Sequence, residues 1–393
     1  MEFHFTNDGP ALDSDAVTAR ILMIIALVGA AQVSFAQVCG KADPAYIKTA
    51  SETGGIPMFL DRSEVAKSFH LVRETTRNNI STVFWTTGSL DARAQAIDFP
   101  VDSMTRRITF TFSFSAEGNG VTIVSPSRIT ITEDRSVEVT QLRCGRIVTV
   151  VSPEVGTWHV ELNGKGTFWA EAEAQSDIYL VNVEFVRRGG RPGHEGFFRI
   201  EGQPVAGRPA TIRASLSSGK EQTADFFLVS ERGELIQKLQ MRPLDYSRDG
   251  FFGSATLPEV PFRVAVSGLD LNGRPYQRFN SGLFHTESVE VSWNGAFDEL
   301  SPGETKQAEF TIRNAGPTAR TFRFTVADGY RFASKAEPGE LTLGPGQSGT
   351  IRVDLTVPPG TPAGVGDDVT VVATSTAGPT TSNSCVAHVS VKR

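Results

Sequence analysis

The hydrophobic pattern of this chain changes period at about residue 85, and the change limits the folds open to it. Before that point, short apolar runs alternate with stretches suited to helices. Phe3-His4-Phe5-Thr6 reads as a strand, Ser14 to Ala31 as a helix and Gln32 to Cys39 as a strand. Asp43 to Thr53 reads as a helix stopped by Gly54-Gly55, Ile56 to Leu60 as a strand and Arg62 to Arg77 as a last helix. Strands alternating with helices imply a parallel sheet with covering helices. After residue 85 the pattern is β only.

The β region is punctuated by Gly, Pro, Asn and Asp at spacings of about 8–12 residues, as in sandwiches. Arg107 to Phe114 alternates cleanly, so Ile108, Phe110, Phe112 and Phe114 are expected to face one core. Asn163-Gly164 is a hairpin signal, expected to join the Trp158 strand to the Phe168-Trp169 strand, with Trp158 as a core anchor. Phe226 to Val229 and Leu235 to Leu239 read as a hairpin over Glu231-Arg232-Gly233. In the last region Thr321 to Val326 alternates, Asn314-Ala315-Gly316-Pro317 is a tight turn, and Val386 to Val391 closes the fold. The expected fold is therefore mainly β: a partial α/β module over residues 1–85, then three β-sandwiches over 86–176, 177–288 and 289–393.

With a net charge of −6 and 21% charged residues, the chain carries no nucleic-acid footprint. The three cysteines, Cys39, Cys144 and Cys385, permit one intrachain disulfide and leave one thiol, with the pairing open. Ile21 to Ala31 is an uncharged apolar run of 11 residues followed by Ser34-Phe35-Ala36. It reads as a buried helix. The alternative is a secretory signal or a type II membrane anchor over residues 21–38, although the acidic flank of Glu2, Asp8, Asp13 and Asp15 is the wrong charge for a signal.

Several of these runs carry a family resemblance. Phe5-Thr6-Asn7-Asp8-Gly9, Gln32 to Gly40, Asp43-Pro44-Ala45-Tyr46 and Ala50 to Gly55 resemble the second half of a von Willebrand factor A domain, closest to that of hemicentin-like matrix proteins. Phe99-Pro100-Val101-Asp102 and Pro153-Glu154-Val155-Gly156-Thr157-Trp158-His159-Val160 resemble the module that follows it. The resemblance implies a doubly wound sheet of which only half is present, immunoglobulin-like modules downstream, and an extracellular setting.

Such A domains bind Mg²⁺ or Ca²⁺ through an Asp-x-Ser-x-Ser loop, and that run occurs nowhere in this chain. Asp8 is left as a residual metal ligand or as a solvated turn aspartate. No cofactor is expected unless a fuller A domain precedes Met1. Asp270 and Asp249 read as turn formers, with calcium at a domain joint as the alternative. Arg187-Arg188-Gly189-Gly190-Arg191 reads as a solvated linker or as a site for sulfated glycan.

Asn79-Ile80-Ser81 is an N-glycosylation sequon if the chain is secreted. The six histidines form no ligand-spaced cluster, and neither H-E-x-x-H nor G-x-S-x-G occurs. The expected function is non-catalytic adhesion or matrix-type recognition of extracellular proteins or glycans. An accessory region of a secreted enzyme and a membrane-anchored surface protein are the competing classes. Residues 1–80 are expected to be unstable alone, and residues 90–393 to fold without them.

Overall fold

The computed structural model describes residues 39–40, 43–189, 195–217, 219–244, 247–293, 295, 298–378 and 380–392. The expected strand at Phe3 to Thr6, the apolar run at 21–31 and Asp8 all lie outside the described residues. The helices are α1 (Pro44–Glu52), a 3₁₀ turn (Val65–Ser68) and α2 (Phe69–Thr75). The first eight strands are β1 (Ile80–Asp91), β2 (Gln95–Val101), β3 (Thr105–Phe114), β4 (Gly120–Val124), β5 (Val137–Leu142), β6 (Gly145–Val151), β7 (Gly156–Asn163) and β8 (Lys165–Ser176).

The middle of the chain supplies β9 (Leu180–Gly189), β10 (Gly196–Arg199), β11 (Pro209–Leu216), β12 (Asp225–Ser230), β13 (Leu235–Leu239), β14 (Arg242–Leu244), β15 (Ser247–Thr256), β16 (Phe262–Leu269) and β17 (Pro275–Phe279). The last region supplies β18 (Val289–Trp293), β19 (Asp298–Leu300), β20 (Thr305–Asn314), β21 (Arg320–Ala327), β22 (Glu340–Leu343), β23 (Ser348–Thr356), β24 (Gly366–Ser375) and β25 (Ser382–Val391). Two compact units result. The first gathers Met1–Val183, Ala214–Gly253 and Phe262–Phe284; the second gathers Glu184–Arg213, Ser254–Pro261 and His285–Arg393.

The first unit is built on a nine-stranded sheet in the order β13-β12-β16-β17-β1-β8-β3-β6-β5. A three-stranded sheet, β2-β7-β4, packs on one face of it. Ile108, Phe110, Phe112 and Phe114 do point to one core, where they meet Phe99, Val160 and Trp158. Trp158 is 1% exposed, and its indole N–H donates to the Glu154 carbonyl at 2.8 Å. Each such aromatic taken from water contributes roughly 1.5–3 kcal/mol.

The Asn163-Gly164 turn does not close a hairpin, because β7 and β8 lie in different sheets. It is a corner between the two layers. Gly164 has φ +130°, a value for glycine only, and a Cβ there would overlap the Asn119 side chain. Asn119 in turn accepts the Lys165 N–H at 2.7 Å and fixes the corner.

The half-sheet expected over residues 1–85 is not present among the described residues, which hold no parallel α/β sheet there. Helices do form at 44–52 and 69–75, the first capped by Asp43, whose carboxylate accepts the Ala45 N–H at 2.9 Å. Ile56 to Leu60, however, is not a strand. Met58, Phe59 and Leu60 are apolar because they are buried against the second face of the nine-stranded sheet. A short apolar run cannot by itself distinguish pairing from packing.

The same layer explains why the polar face of β3 is also buried. The Ser113 hydroxyl donates to the Pro57 carbonyl at 2.5 Å, and Thr109 reaches His70 through Thr149. A disulfide between Cys39 and Cys144 ties the layer down. β1 lies between β8 and β17, so a chain starting at residue 90 loses a central strand. The expectation that residues 90–393 fold alone is corrected accordingly.

In the second unit, β18-β20-β23 faces β19-β25-β24-β21-β22 as a sandwich. Alternating burial along β20, β23 and β25 follows their apolar/polar alternation. Phe310, Ile312, Phe322, Val353, Val371 and Val389 fill the core. Buried Asn314 closes the expected turn, donating to the Thr318 and Leu343 carbonyls at 2.8 and 2.9 Å and accepting from the Gly316 N–H at 3.0 Å. β10 pairs with β9 in this unit, and β14 pairs with β15 in the first.

Candidate recognition cleft

In the second unit, the segment from Ile200 to Ala206 runs against the sandwich, where backbone and side-chain bonds clamp it. The Gln203 N–H donates to Asn383 Oδ1 at 2.8 Å, and Asn383 Nδ2 returns bonds to the Gln203 and Val289 carbonyls at 3.0 and 2.9 Å. The Glu287 N–H donates to the Pro204 carbonyl at 2.9 Å, and the Ala206 N–H to the Glu287 carbonyl at 3.0 Å. Glu201 Oε2 accepts the Val386 N–H at 3.0 Å. Only glycine fits at 202, since a Cβ there would overlap Asn383 and the Ser384 carbonyl.

Beside this clamp lies a cleft of about 450 Å³. Its walls come from Phe185 to Arg188 on β9, the 200–211 segment, Glu290 to Trp293 on β18 and Asn383 to Cys385 on β25. Arg187 pairs with Glu201 at 3.5 Å and Arg208 with Glu290 at 3.6 Å. Arg188 is exposed and makes no ion pair among the described residues. Trp293 stacks on Phe310 with ring centroids 6.5 Å apart and presents part of its indole to the cleft.

Two titratable groups border the site. His388 Nδ1 lies 2.6 Å from Asp368 and Nε2 lies 3.2 Å from Glu201. Partial burial works against the charged ring, but the hydrogen bonds to Asp368 and Glu201 outweigh it and hold the imidazole above its ordinary range. A neutral imidazole has one N–H and cannot donate to both carboxylates. Cys385 is a free, buried thiol, and burial pushes its pKa up. The arrangement suits recognition: fixed backbone, one uncommitted guanidinium, and an aromatic face.

Arg187 and Arg188 line the cleft, and Arg187 is neutralised by Glu201; Gly190 and Arg191 lie outside the described residues. Asn79 is exposed in a turn at φ +60°, ahead of β1. Asp270, wholly buried, has its oxygens filled by the Ser103 N–H and hydroxyl at 2.9 and 2.5 Å and by the Asn272 and Arg274 N–H groups at 2.9 and 2.8 Å. Those bonds hold its carboxyl below the usual range despite burial, which raises it. It therefore ties loops together. Among the described residues no three His, Cys, Asp or Glu side chains gather as a metal site. Glu201, Gln203, Asn383 and His388 were not legible, because their partners lie roughly 180 residues away, with no local motif.

A family model described as VWA7 Ig-like domain matches residues 291–392. No curated protein matches the chain. Among solved structures, the chain is similar to the lipase BlEst2 of Bacillus licheniformis in its propeptide form (11% identity, 51% of this chain, 43% of that chain, TM-score 0.25). It is also similar to the titin I9–I11 tandem (9% identity, 76% of this chain, 99% of that chain, TM-score 0.16) and to the ICAM-5 D1–D4 ectodomain fragment (10% identity, 78% of this chain, 77% of that chain, TM-score 0.19). The chain spans 43% of the lipase. The family match makes the C-terminal sandwich Ig-like, in a multidomain chain that is mainly β.

Proposed function

We propose that this is a non-catalytic extracellular recognition protein, related to hemicentin-like matrix proteins, that binds extracellular proteins or glycans through the cleft beside its C-terminal Ig-like sandwich. The observation that carries this reading is the clamp of Glu201, Gln203 and Asn383, which fixes the cleft walls on a rigid scaffold, as binding sites require. The Cys39–Cys144 disulfide supports an oxidising, extracellular compartment. Asn79 would then carry an N-linked glycan, removable by an endoglycosidase with a mass shift. No metal or cofactor is proposed, and Asp8 would matter only beside an upstream Asp-x-Ser-x-Ser loop.

The test is binding of the secreted full chain to panels of immobilised matrix proteins and glycans. Wild-type protein is compared with Arg188→Glu and with Ser384→Trp, which obstructs the cleft. Loss of a captured ligand in both variants, with melting unchanged, supports the reading. Equal capture by all three proteins sinks it. An accessory role beside an enzyme predicts instead that binding follows the substrate of an upstream catalytic domain. A surface anchor over residues 21–38 predicts that the chain partitions into membranes. No described helix is long and apolar enough to cross one.

A further inference from the structure

The first unit holds an arginine whose bonding is incomplete. Arg146 lies on β6, opposite Phe112 of β3 and Gln141 of β5. Its side chain turns toward a pocket of about 210 Å³ lined by Phe114, Asn119, Val121, Gln141 and Arg143 among others. Of its five N–H donors, one is used: Nη1 donates to the Val121 carbonyl at 3.1 Å. The buried Nε has no partner, and no carboxylate pairs with the guanidinium among the described residues. Nε is too enclosed to meet a molecule in the pocket, so the donors a ligand could use are the two N–H groups of Nη2 and the second of Nη1, which make no hydrogen bond among the described residues.

No polar side chain of the pocket bonds the guanidinium among the described residues. Asn119 Nδ2 donates to the Ala116 and Lys165 carbonyls and its Oδ1 accepts from the Lys165 N–H. Gln141 Nε2 donates to the Leu142 and Gly145 carbonyls at 2.9 and 3.2 Å. Arg143 adds a second guanidinium, tied to Glu117 at 2.5 Å, and no acidic residue lines the pocket. The lining therefore offers positive charge and spare donors in a space too small for a whole oligosaccharide or peptide.

We propose that this pocket takes a small oxyanion group, a sulfate or a carboxylate, on the Arg146 guanidinium, which suits bidentate acceptors. The site lies in the first unit and does not depend on the cleft described above.

The test is calorimetric titration of the full chain with a sulfated chondroitin disaccharide and with its unsulfated, uronate-bearing counterpart. Arg146→Gln is run in parallel. Arg143→Gln and Ala116→Glu serve as second variants, the latter placing a carboxylate at the pocket. Saturable binding, weakened by about tenfold or more in Arg146→Gln and abolished in Ala116→Glu, is expected. Binding confined to the sulfated sugar identifies the group as sulfate; binding of both identifies it as carboxylate. Should Arg146→Gln fail to fold, the Ala116→Glu result decides. No binding by the wild type, or equal affinity in wild type and folded variants, overturns the proposal.

Discussion

Arg278 and Asp102, 176 residues apart in sequence, meet at 2.6 Å with both side chains wholly buried in the first unit. Asp102 also accepts the Met104 N–H at 3.0 Å and the Thr105 hydroxyl at 3.1 Å. Arg278 also donates to the Ile178 and Gln277 carbonyls and to Ser176 Oγ. The pair fastens β17 to the end of β8 and to the loop after β2. Asp102→Asn leaves a buried guanidinium without its counter-charge and is expected to cost about 3–5 kcal/mol. The double variant Asp102→Leu/Arg278→Met is expected to cost clearly less. Urea denaturation followed by hydrogen exchange, which resolves the two units, checks the difference.

Reduction, or Cys144→Ser, releases a loop with a sequence separation of 105 residues. The chain-entropy cost of a loop that long is roughly 4–5 kcal/mol. The first unit should melt markedly earlier under reductant while the second unit keeps its midpoint. Calorimetry with and without reductant measures this, and an unchanged first transition contradicts the tether.

Truncation separates the sheet from its covering layer. A chain beginning at residue 92 lacks β1, whose neighbours are β8 and β17. It should not fold its first unit, because removing a central strand opens two unpaired edges. A chain beginning at residue 39 keeps β1, the disulfide and the layer at 43–77. It should give dispersed amide resonances from the first unit that the shorter chain lacks, while the second unit's resonances appear in both.

The two units should respond to pH with opposite sign. In the second, His388 is held above its ordinary range by Asp368 and Glu201, with Arg187 facing Glu201 from β9. Its stabilisation is full below the unfolded value of about 6.5 and is lost as pH rises through the raised folded value. In the first, burial lowers His70, whose ring nitrogens face Thr140 and Thr149 at 2.8 and 2.9 Å. Glu138, Arg73, Glu74 and Arg107 surround it. Its contribution is present above about 6.5 and is lost as pH falls toward the lowered folded value. Melting each unit from pH 5 to 8.5 should show the opposed slopes, and His388→Gln and His70→Gln should each flatten its own.

Gly202→Ala tests the clamp. The added methyl meets Asn383 and the Ser384 carbonyl, and overpacking of this kind costs about 1–3 kcal/mol. Faster exchange of the Gln203 and Val386 amides than in wild type is the expected result, with the first unit unaffected.

The sequence by itself determined which face of the alternating strands carries the apolar core. Alternation along β3, β20, β23 and β25 requires that one face leave water, and the turns at Asn314 and Gly233 follow from local chemistry. It also placed a helix over Asp43 to Thr53, and α1 starts one residue later because Asp43 caps it, a local bond. Only the tertiary structure decided which strands share a sheet, that Asn163-Gly164 is a corner rather than a hairpin, and that Ile56 to Leu60 packs without pairing. The same holds for the ion pair of Asp102 with Arg278, the clamp of Gln203 with Asn383 and the unpartnered Arg146 Nε. Each rests on contacts between residues far apart in sequence, and period and propensity describe a residue's own neighbourhood. They cannot say which distant surface will cover it.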